Sequence, residues 1–136
     1  MCVAGARWVQ KEILEKQPDA DLHVYAVWFS MLESDSRPRW PRDALTDPRV
    51  EHFWDEKRVL GRWYADDLKL KLWSRTLGTW TDALWDAYLL YDPEARWSSG
   101  PRPLFAWGTT IMETREELRA KLKALLREQG RKVAPG

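Results

Sequence analysis

The most reactive side chain in this sequence is its only cysteine, Cys2. It stands at the start of Val3–Pro18, where the spacing of apolar residues predicts a helix that ends at the proline. Partial positive charge at a helix N-terminus lowers the pKa of a thiol, and Arg7 would favour the thiolate further. Such a thiol can form a mixed disulfide or a sulfenic acid, but one cysteine cannot resolve the mixed disulfide. The alternative is a thiol without a partner at a frayed chain end.

Two histidines offer weaker sites. His52 lies beside Glu51 and near Asp55, but no nucleophile motif accompanies it, as a general base would require. His23 stands at the head of a predicted strand. The spacing between the histidines and Cys2 matches no zinc-ligand pattern, and no nucleotide or cofactor motif occurs. We therefore expect no metal and no cofactor.

Ten tryptophans raise the question of a binding surface, because aromatic faces stack on sugars and peptides. Most of them are expected to pack in the core or at its rim, including Trp28, Trp54, Trp63 and Trp107. Trp40 and Trp97 fall in predicted loops, where binding residues concentrate. These two are the candidate binding residues, and carbohydrate is one hypothesis for their ligand.

The charge balance is nearly even, with 22 Lys and Arg against 21 Asp and Glu. Without excess positive charge the sequence indicates no nucleic-acid partner and no membrane surface. The longest apolar run, Val24–Leu32, is too short to span a bilayer, and we see no secretory signal. We expect a cytoplasmic protein as the chain is given, or an exported or periplasmic one if a signal segment lies upstream.

A chain of 136 residues suits one domain, which we place at residues 1–130 with a flexible tail at 131–136. After the first helix, Leu22–Leu32 is apolar at successive positions, which predicts a central strand covered on both faces. A loop with two prolines follows. The pair Asp47-Pro48 then resembles a helix start, so we expect a short helix over Pro48–Glu56.

The remaining pattern predicts a hairpin and a closing helix. Arg58–Ala65 indicates a strand, while 66–80 fits strand or helix, with helix favoured. Trp85–Trp97 and Leu104–Met112 are expected to pair as antiparallel strands, the former turning at Asp92-Pro93. A capping box, Thr114 with Glu117, should begin the last helix, a leucine stripe should form its buried face, and Gly130 should end it. The order predicts an α/β fold with a mixed sheet flanked by helices.

This order is similar to the second part of a thioredoxin-like domain. The segments GARWVQ, DLHVYAVWFSML, DPRVEHFWD, RVLGRWYA and WDAYLLYDPEARW resemble a group of bacterial thioredoxin-like proteins over nearly the whole chain. The resemblance implies thiol–disulfide redox chemistry, with Cys2 as the second, resolving cysteine of a Cys-x-x-Cys motif. It also implies that the first strand and first cysteine of the family's fold are missing.

Two departures from the family weaken the expected activity. The first cysteine is absent, and Thr81–Ala87 lacks the proline that the family places before the hairpin. We expect an oxidoreductase that is impaired or inactive, with a protein thiol or disulfide as its partner. The alternative is a non-catalytic module that binds proteins or self-associates, with a homodimer formed through an exposed sheet edge or through Cys2.

Overall fold

The computed structural model describes residues 2–31, 35–74, 78–97 and 101–133. The helices are α1 (Cys2–Val9), α2 (Val59–Asp67) and α3 (Arg115–Val133). The strands are β1 (Val24–Trp28), β2 (Val50–Trp54), β3 (Leu72–Ser74), β4 (Thr79–Thr81), β5 (Ala87–Trp97) and β6 (Pro101–Thr109). The expected mixture of helices and strands is confirmed. No described helix is long and apolar enough to cross a membrane.

The chain divides into two compact units, one formed by Met1–Trp8 with Asp86–Gly136 and the other by Val9–Trp85. The described strands form three two-stranded sheets, β1–β2, β3–β4 and β5–β6, where the sequence predicted one mixed sheet. The sequence pattern identifies strands but carries little information about which strands pair, because pairing depends on distant partners.

The first predicted helix is confirmed. α1 continues into a π-helical turn over Gln10–Leu14, in which the Glu15 N–H donates to the Gln10 carbonyl at 2.9 Å. Ile13 and Leu14 are buried, with 4% and 0% of their surface exposed. The helical segment therefore ends before Pro18, as expected, and anchors the core of the Val9–Trp85 unit.

The helix predicted over Pro48–Glu56 is wrong, because β2 occupies that stretch and pairs in parallel with β1. The Asp47 carboxylate accepts from the N–H of Arg49, two residues on, at 2.9 Å. This local turn replaces a helix cap, and the β-branched and aromatic residues that follow favour an extended chain. The prediction that β1 is covered on both faces is also wrong, since Tyr25 is 62% exposed.

The strand predicted over Arg58–Ala65 is a helix, α2. Its start is stabilised by Asp55, whose carboxylate accepts from the N–H groups of Val59 and Leu60 at 2.9 and 2.8 Å. Gly61 and Ala65, four residues apart, lie on its buried face. The sequence analysis missed this cap because Asp55 was placed inside the preceding element.

The ambiguous segment 66–80 is the end of α2 followed by a hairpin. β3 pairs antiparallel with β4, with Leu72 opposite Thr81 and Ser74 opposite Thr79. The preference for helix was therefore wrong for the residues of β3. Residues 75–77 lie outside the described part of the chain.

The hairpin β5–β6 and the closing helix α3 are confirmed. The strands pair from Ala87 opposite Thr109 to Trp97 opposite Pro101, and the turn expected at Asp92-Pro93 is an irregularity inside β5. The leucines of α3 form the predicted stripe, with Leu118, Leu122 and Leu125 buried and Leu126 half-buried. Gly130 does not end α3, which continues through residues 131–133; residues 134–136 of the predicted tail lie outside the described part.

Candidate functional site

The outward face of the β1–β2 sheet carries aromatic side chains. Tyr25 and Phe53 are 62% and 47% exposed, and their ring centroids lie 6.0 Å apart. His23 stacks on Tyr25 at 4.5 Å, and its Nε2 lies 2.6 Å from the Glu51 carboxylate. The Glu51 carboxylate on this face is thus engaged by His23, and the two aromatic rings are exposed beside this pair. Exposed aromatic surface of this kind is typical of interaction sites.

The outer edge of β1 adds backbone hydrogen-bonding groups to this face. The Val24 N–H donates toward β2, to the Arg49 carbonyl at 3.0 Å. Because successive residues of a strand alternate, the N–H and C=O groups of Tyr25 and Val27 point away from β2. Within the described ranges no third strand pairs with β1. An exposed edge of this type can accept a strand from another chain.

The opposite face of the sheet holds His52 in a structural role. The Trp28 indole N–H donates to its Nδ1 at 3.0 Å, and its Nε2 lies 3.0 Å from the Leu45 carbonyl. An indole N–H can only donate, so Nδ1 accepts and Nε2 carries the proton that is donated to Leu45. Both ring nitrogens are therefore engaged, which argues against a general base at this position.

Trp40 lies over this same face, where two aromatic rings and two arginine side chains surround its indole ring. Its ring packs edge-on against Trp54 at 6.0 Å and against His52 at 6.3 Å. The guanidinium carbons of Arg42 and Arg37 lie 4.7 and 5.6 Å from its ring centroid. These distances are typical of cation–π contacts. A sugar that stacked on Trp40 would compete with these guanidinium groups.

A polar clamp attaches the sheet to the first helical segment. The Arg49 guanidinium donates to both carboxylate oxygens of Asp47 at 2.9 Å and to the carbonyls of Leu14, Gln17 and Ala20 at 2.8–2.9 Å. The hydrogen bonds from Arg49 lower the pKa of Asp47 from 3.8 to about 2, and those to Asp47 raise the pKa of Arg49. This clamp fixes the start of β2 and hence the positions of His52 and Phe53.

The other unit places a carboxyl group beside the first turn of α1. An added Cβ at Gly5 would lie 3.2 Å from Asp86 Oδ1 and 2.9 Å from Ile111 Cβ, so the three residues pack closely. Asp86 has a positive φ of 50°, and its backbone carbonyl accepts from the Ile111 N–H at 3.1 Å. Burial raises the pKa of Asp86, although the hydrogen bond from Ile111 lowers it. Asp86 thus lies against Gly5, three residues after Cys2 in α1.

The predicted site residues are distributed over both units. Cys2 is the first residue of α1, and its side chain lies outside the described part. Trp40 lies in the predicted loop, directly after the 3₁₀ turn Arg37–Arg39. Trp97 is the last residue of β5 rather than a loop residue, and its side chain also lies outside the described part. Cys2 and Trp97 belong to one unit and Trp40 to the other.

Sequence reasoning missed the exposed aromatic face and the carboxyl group beside α1. Tyr25 and Phe53 occur in stretches assigned to a buried strand and a helix, so neither was expected to be exposed. The β-branched and aromatic residues of Val50–Trp54 were the signal that could have indicated the second strand. Nothing in the sequence near Asp86 indicated its packing against Gly5, which depends on residues far apart in the chain.

Two shallow depressions of about 460 and 570 Å³ lie near the end of α2, and their lining includes Lys69, Lys71 and Trp80. Both are wide open to solvent, unlike the enclosed apolar pockets that hold most cofactors. Among the described residues no group of three or more His, Cys, Asp or Glu side chains could hold a metal ion.

Comparisons with known proteins add no relative to this description: no family model, curated protein or solved structure matches the chain.

Proposed function

We propose that this chain is a protein-interaction module that self-associates through the outer edge and outward face of β1. One observation carries this proposal: Tyr25 is 62% exposed on the strand whose outward backbone groups have no described strand partner. Burial of an exposed aromatic side chain and pairing of a strand edge are both favourable on association. These two gains indicate that the outer edge and outward face of β1 are more stable when another chain covers them.

A second copy is the occupant that fits this edge. Antiparallel pairing of β1 with β1 of a second copy, centred on Ala26, would place Tyr25 opposite Val27 of that copy. Those are the residues whose N–H and C=O groups point outward, so each would donate and accept across the two-fold axis.

Sedimentation velocity over a wide range of protein concentrations tests this proposal. We expect a dimer that dissociates on dilution. Val27→Pro removes an N–H that points away from β2, so it should abolish the dimer while leaving β1–β2 pairing intact. Tyr25→Thr keeps the edge and removes the ring, so it should weaken the dimer without abolishing it.

Three outcomes would reject the edge as the contact. These are a monomer at every concentration, a dimer unaffected by Val27→Pro, and a dimer lost on reduction of thiols. The third would identify a disulfide through Cys2, and Cys2→Ser separates it from the first two. Circular dichroism of each variant shows whether a change in association reflects unfolding.

A second candidate function is thiol chemistry at Cys2 on a thioredoxin-like scaffold. The observation that favours it is the Asp86 carboxyl group, which lies against Gly5 and has a raised pKa because of burial. A carboxylate within reach of a thiol can act as a general base and accept its proton. The order of α1, β1, the β5–β6 hairpin and α3 also supports the scaffold.

The chemistry available to one cysteine is limited. A Cys2 thiolate would attack a disulfide of a protein partner, forming a mixed disulfide and releasing the second sulfur of that disulfide as a thiolate. Release of Cys2 requires an external thiol, such as dithiothreitol, to attack the mixed disulfide. We therefore expect covalent capture of a disulfide partner, with little or no catalytic turnover.

An insulin-reduction assay with dithiothreitol measures that turnover. We expect no acceleration over dithiothreitol alone, and robust activity that Cys2→Ser abolishes would contradict the expected impairment. The rate of Cys2 alkylation against pH, in the wild type and in Asp86→Asn, tests the role of the carboxyl group. An unchanged pH profile in Asp86→Asn would reject it.

A further inference from the structure

The segment Arg37–Asp43 presents a charged surface. This surface lies on the opposite side of the β1–β2 sheet from the aromatic face of Tyr25 and Phe53. It contains three arginines and one carboxylate, Asp43, and all three arginines are exposed. Among the described residues none of these arginines forms an ion pair with a carboxylate. The segment therefore carries positive charge that the described part of the unit does not neutralise.

Trp40 holds two of these arginines in place. The guanidinium groups of Arg42 and Arg37 stack on its ring at 4.7 and 5.6 Å, while Trp54 and His52 fix the ring from its edges. A stacked guanidinium keeps its N–H groups available at its rim, and less side-chain entropy is lost when a ligand binds. The arginines are thus partly organised before any ligand arrives.

The backbone of the segment is also organised. The Trp40 N–H donates to the Arg37 carbonyl at 3.2 Å, and the Arg42 N–H donates to the Trp40 carbonyl at 2.9 Å. Pro38 and Pro41 restrict φ at two positions between these bonds. Successive tight turns therefore keep Arg37 and Arg42 on the same ring.

We propose that the surface formed by Arg37, Arg39, Arg42 and Trp40 binds an acidic segment of a partner protein. Guanidinium groups match carboxylates in charge and in planar geometry, and they can donate two parallel hydrogen bonds to each. Single-stranded nucleic acid fits less well because its bases need open aromatic faces, and arginines already stack on Trp40.

Fluorescence anisotropy with a labelled oligoglutamate peptide tests this proposal. We expect saturable binding that weakens as salt rises, and no binding of a matched oligoglutamine peptide. The double variant Arg37→Gln/Arg42→Gln should bind the oligoglutamate peptide about tenfold more weakly or worse. Arg37→Lys/Arg42→Lys keeps the charge but loses the planar guanidinium groups. Its affinity for the oligoglutamate peptide should therefore fall between those of the wild type and the double glutamine variant.

Arg119→Gln is the matched control, because Arg119 also stacks on a tryptophan, Trp8, at 5.2 Å but pairs with Glu116. This variant removes one positive charge where the double variant removes two, and it should leave peptide affinity unchanged. Absence of binding, equal loss in Arg119→Gln, or full affinity in the double glutamine variant would each overturn the proposal. A labelled oligothymidine that binds in place of the peptide would identify a nucleic-acid surface and would overturn it too.

Discussion

Two pairs of strands in this molecule are stabilised in different ways. The hairpin β5–β6 contacts α3, whose leucines 118, 122 and 125 are 3–6% exposed, and Tyr88 on β5 is 8% exposed. In β1–β2 no residue is fully buried, and Tyr25 and Phe53 face solvent. The hairpin is thus held by apolar packing, whereas the parallel pair is attached through the Arg49 clamp. The comparison shows that a strand pair with one uncovered face keeps surface and an edge for other chains.

The buried stripe of α3 should give the largest effect on stability. Leu122→Ala should lower the free energy of unfolding by about 2–5 kcal/mol, because it removes packing and leaves a cavity. Leu126→Ala, at a half-buried position, should lower the free energy of unfolding clearly less. The difference between the two variants compares a buried position of the stripe with a half-buried one. Urea unfolding followed by circular dichroism measures both, and equal losses would show that the stripe is not what stabilises this unit.

Loss of the Arg49 clamp should give the next largest effect on stability. Arg49→Met leaves Asp47 without its cation and three backbone carbonyls without their donor, at a cost of about 2–4 kcal/mol. The control is Arg62→Met on α2, which breaks a half-exposed pair with Asp82 and should cost less than about 1 kcal/mol. If the two variants unfold at the same urea concentration, the parallel pair does not depend on the clamp.

Alanine substitutions at two glycines test how tightly the unit that contains the hairpin packs. A Cβ at Gly108 would lie 2.6 Å from the Tyr88 ring and 2.9 Å from Thr114 Oγ1, so Gly108→Ala should cost about 1–3 kcal/mol. A Cβ at Gly130 meets nothing within 4 Å, and Gly130→Ala inside α3 should stabilise by about 0.5–1 kcal/mol. Thermal unfolding of both variants should move Tm in opposite directions, and a loss in both would mean that α3 ends at Gly130.

Acid should weaken the clamp before it affects apolar packing. The pKa of Asp47 is lowered from 3.8 to about 2, so its pairing with Arg49 stabilises the folded chain fully above about pH 4. That contribution is lost as the pH falls through about 2. The difference in unfolding free energy between the wild type and Asp47→Asn should therefore shrink across this window. A difference that is constant with pH would show that ionised Asp47 does not contribute.

The sequence predicted elements best where a pattern is local and long. The leucine stripe of α3 repeats over several turns, and β5 begins with a continuous run of apolar and aromatic residues, Ala87–Tyr91, so both elements were identified. Val50–Trp54 and Arg58–Ala65 were assigned the wrong way round, because the element boundary was placed after Asp55. That carboxylate caps α2, and assigning it to the preceding element moved the helix signal to the wrong segment.

The candidate surfaces were harder to predict because they depend on pairing and on exposure. Trp40 was identified as a loop residue, but its stacking with Arg37 and Arg42 requires turns whose dihedral angles the sequence does not specify. Tyr25 was expected to be buried because apolar composition alone does not show whether a second layer covers a strand. The packing of Asp86 against Gly5 joins residues at distant positions, and no local pattern encodes it.

Amide hydrogen exchange at β1 tests the central claim, that the outer edge of this strand pairs with a second copy. The Val24 N–H bonds to the Arg49 carbonyl and should be protected at every protein concentration. The N–H groups of Tyr25 and Val27 should exchange quickly in dilute protein and slow as concentration rises, in step with dimer formation. Exchange at Tyr25 and Val27 that does not change with concentration, while a dimer forms, would contradict the claim.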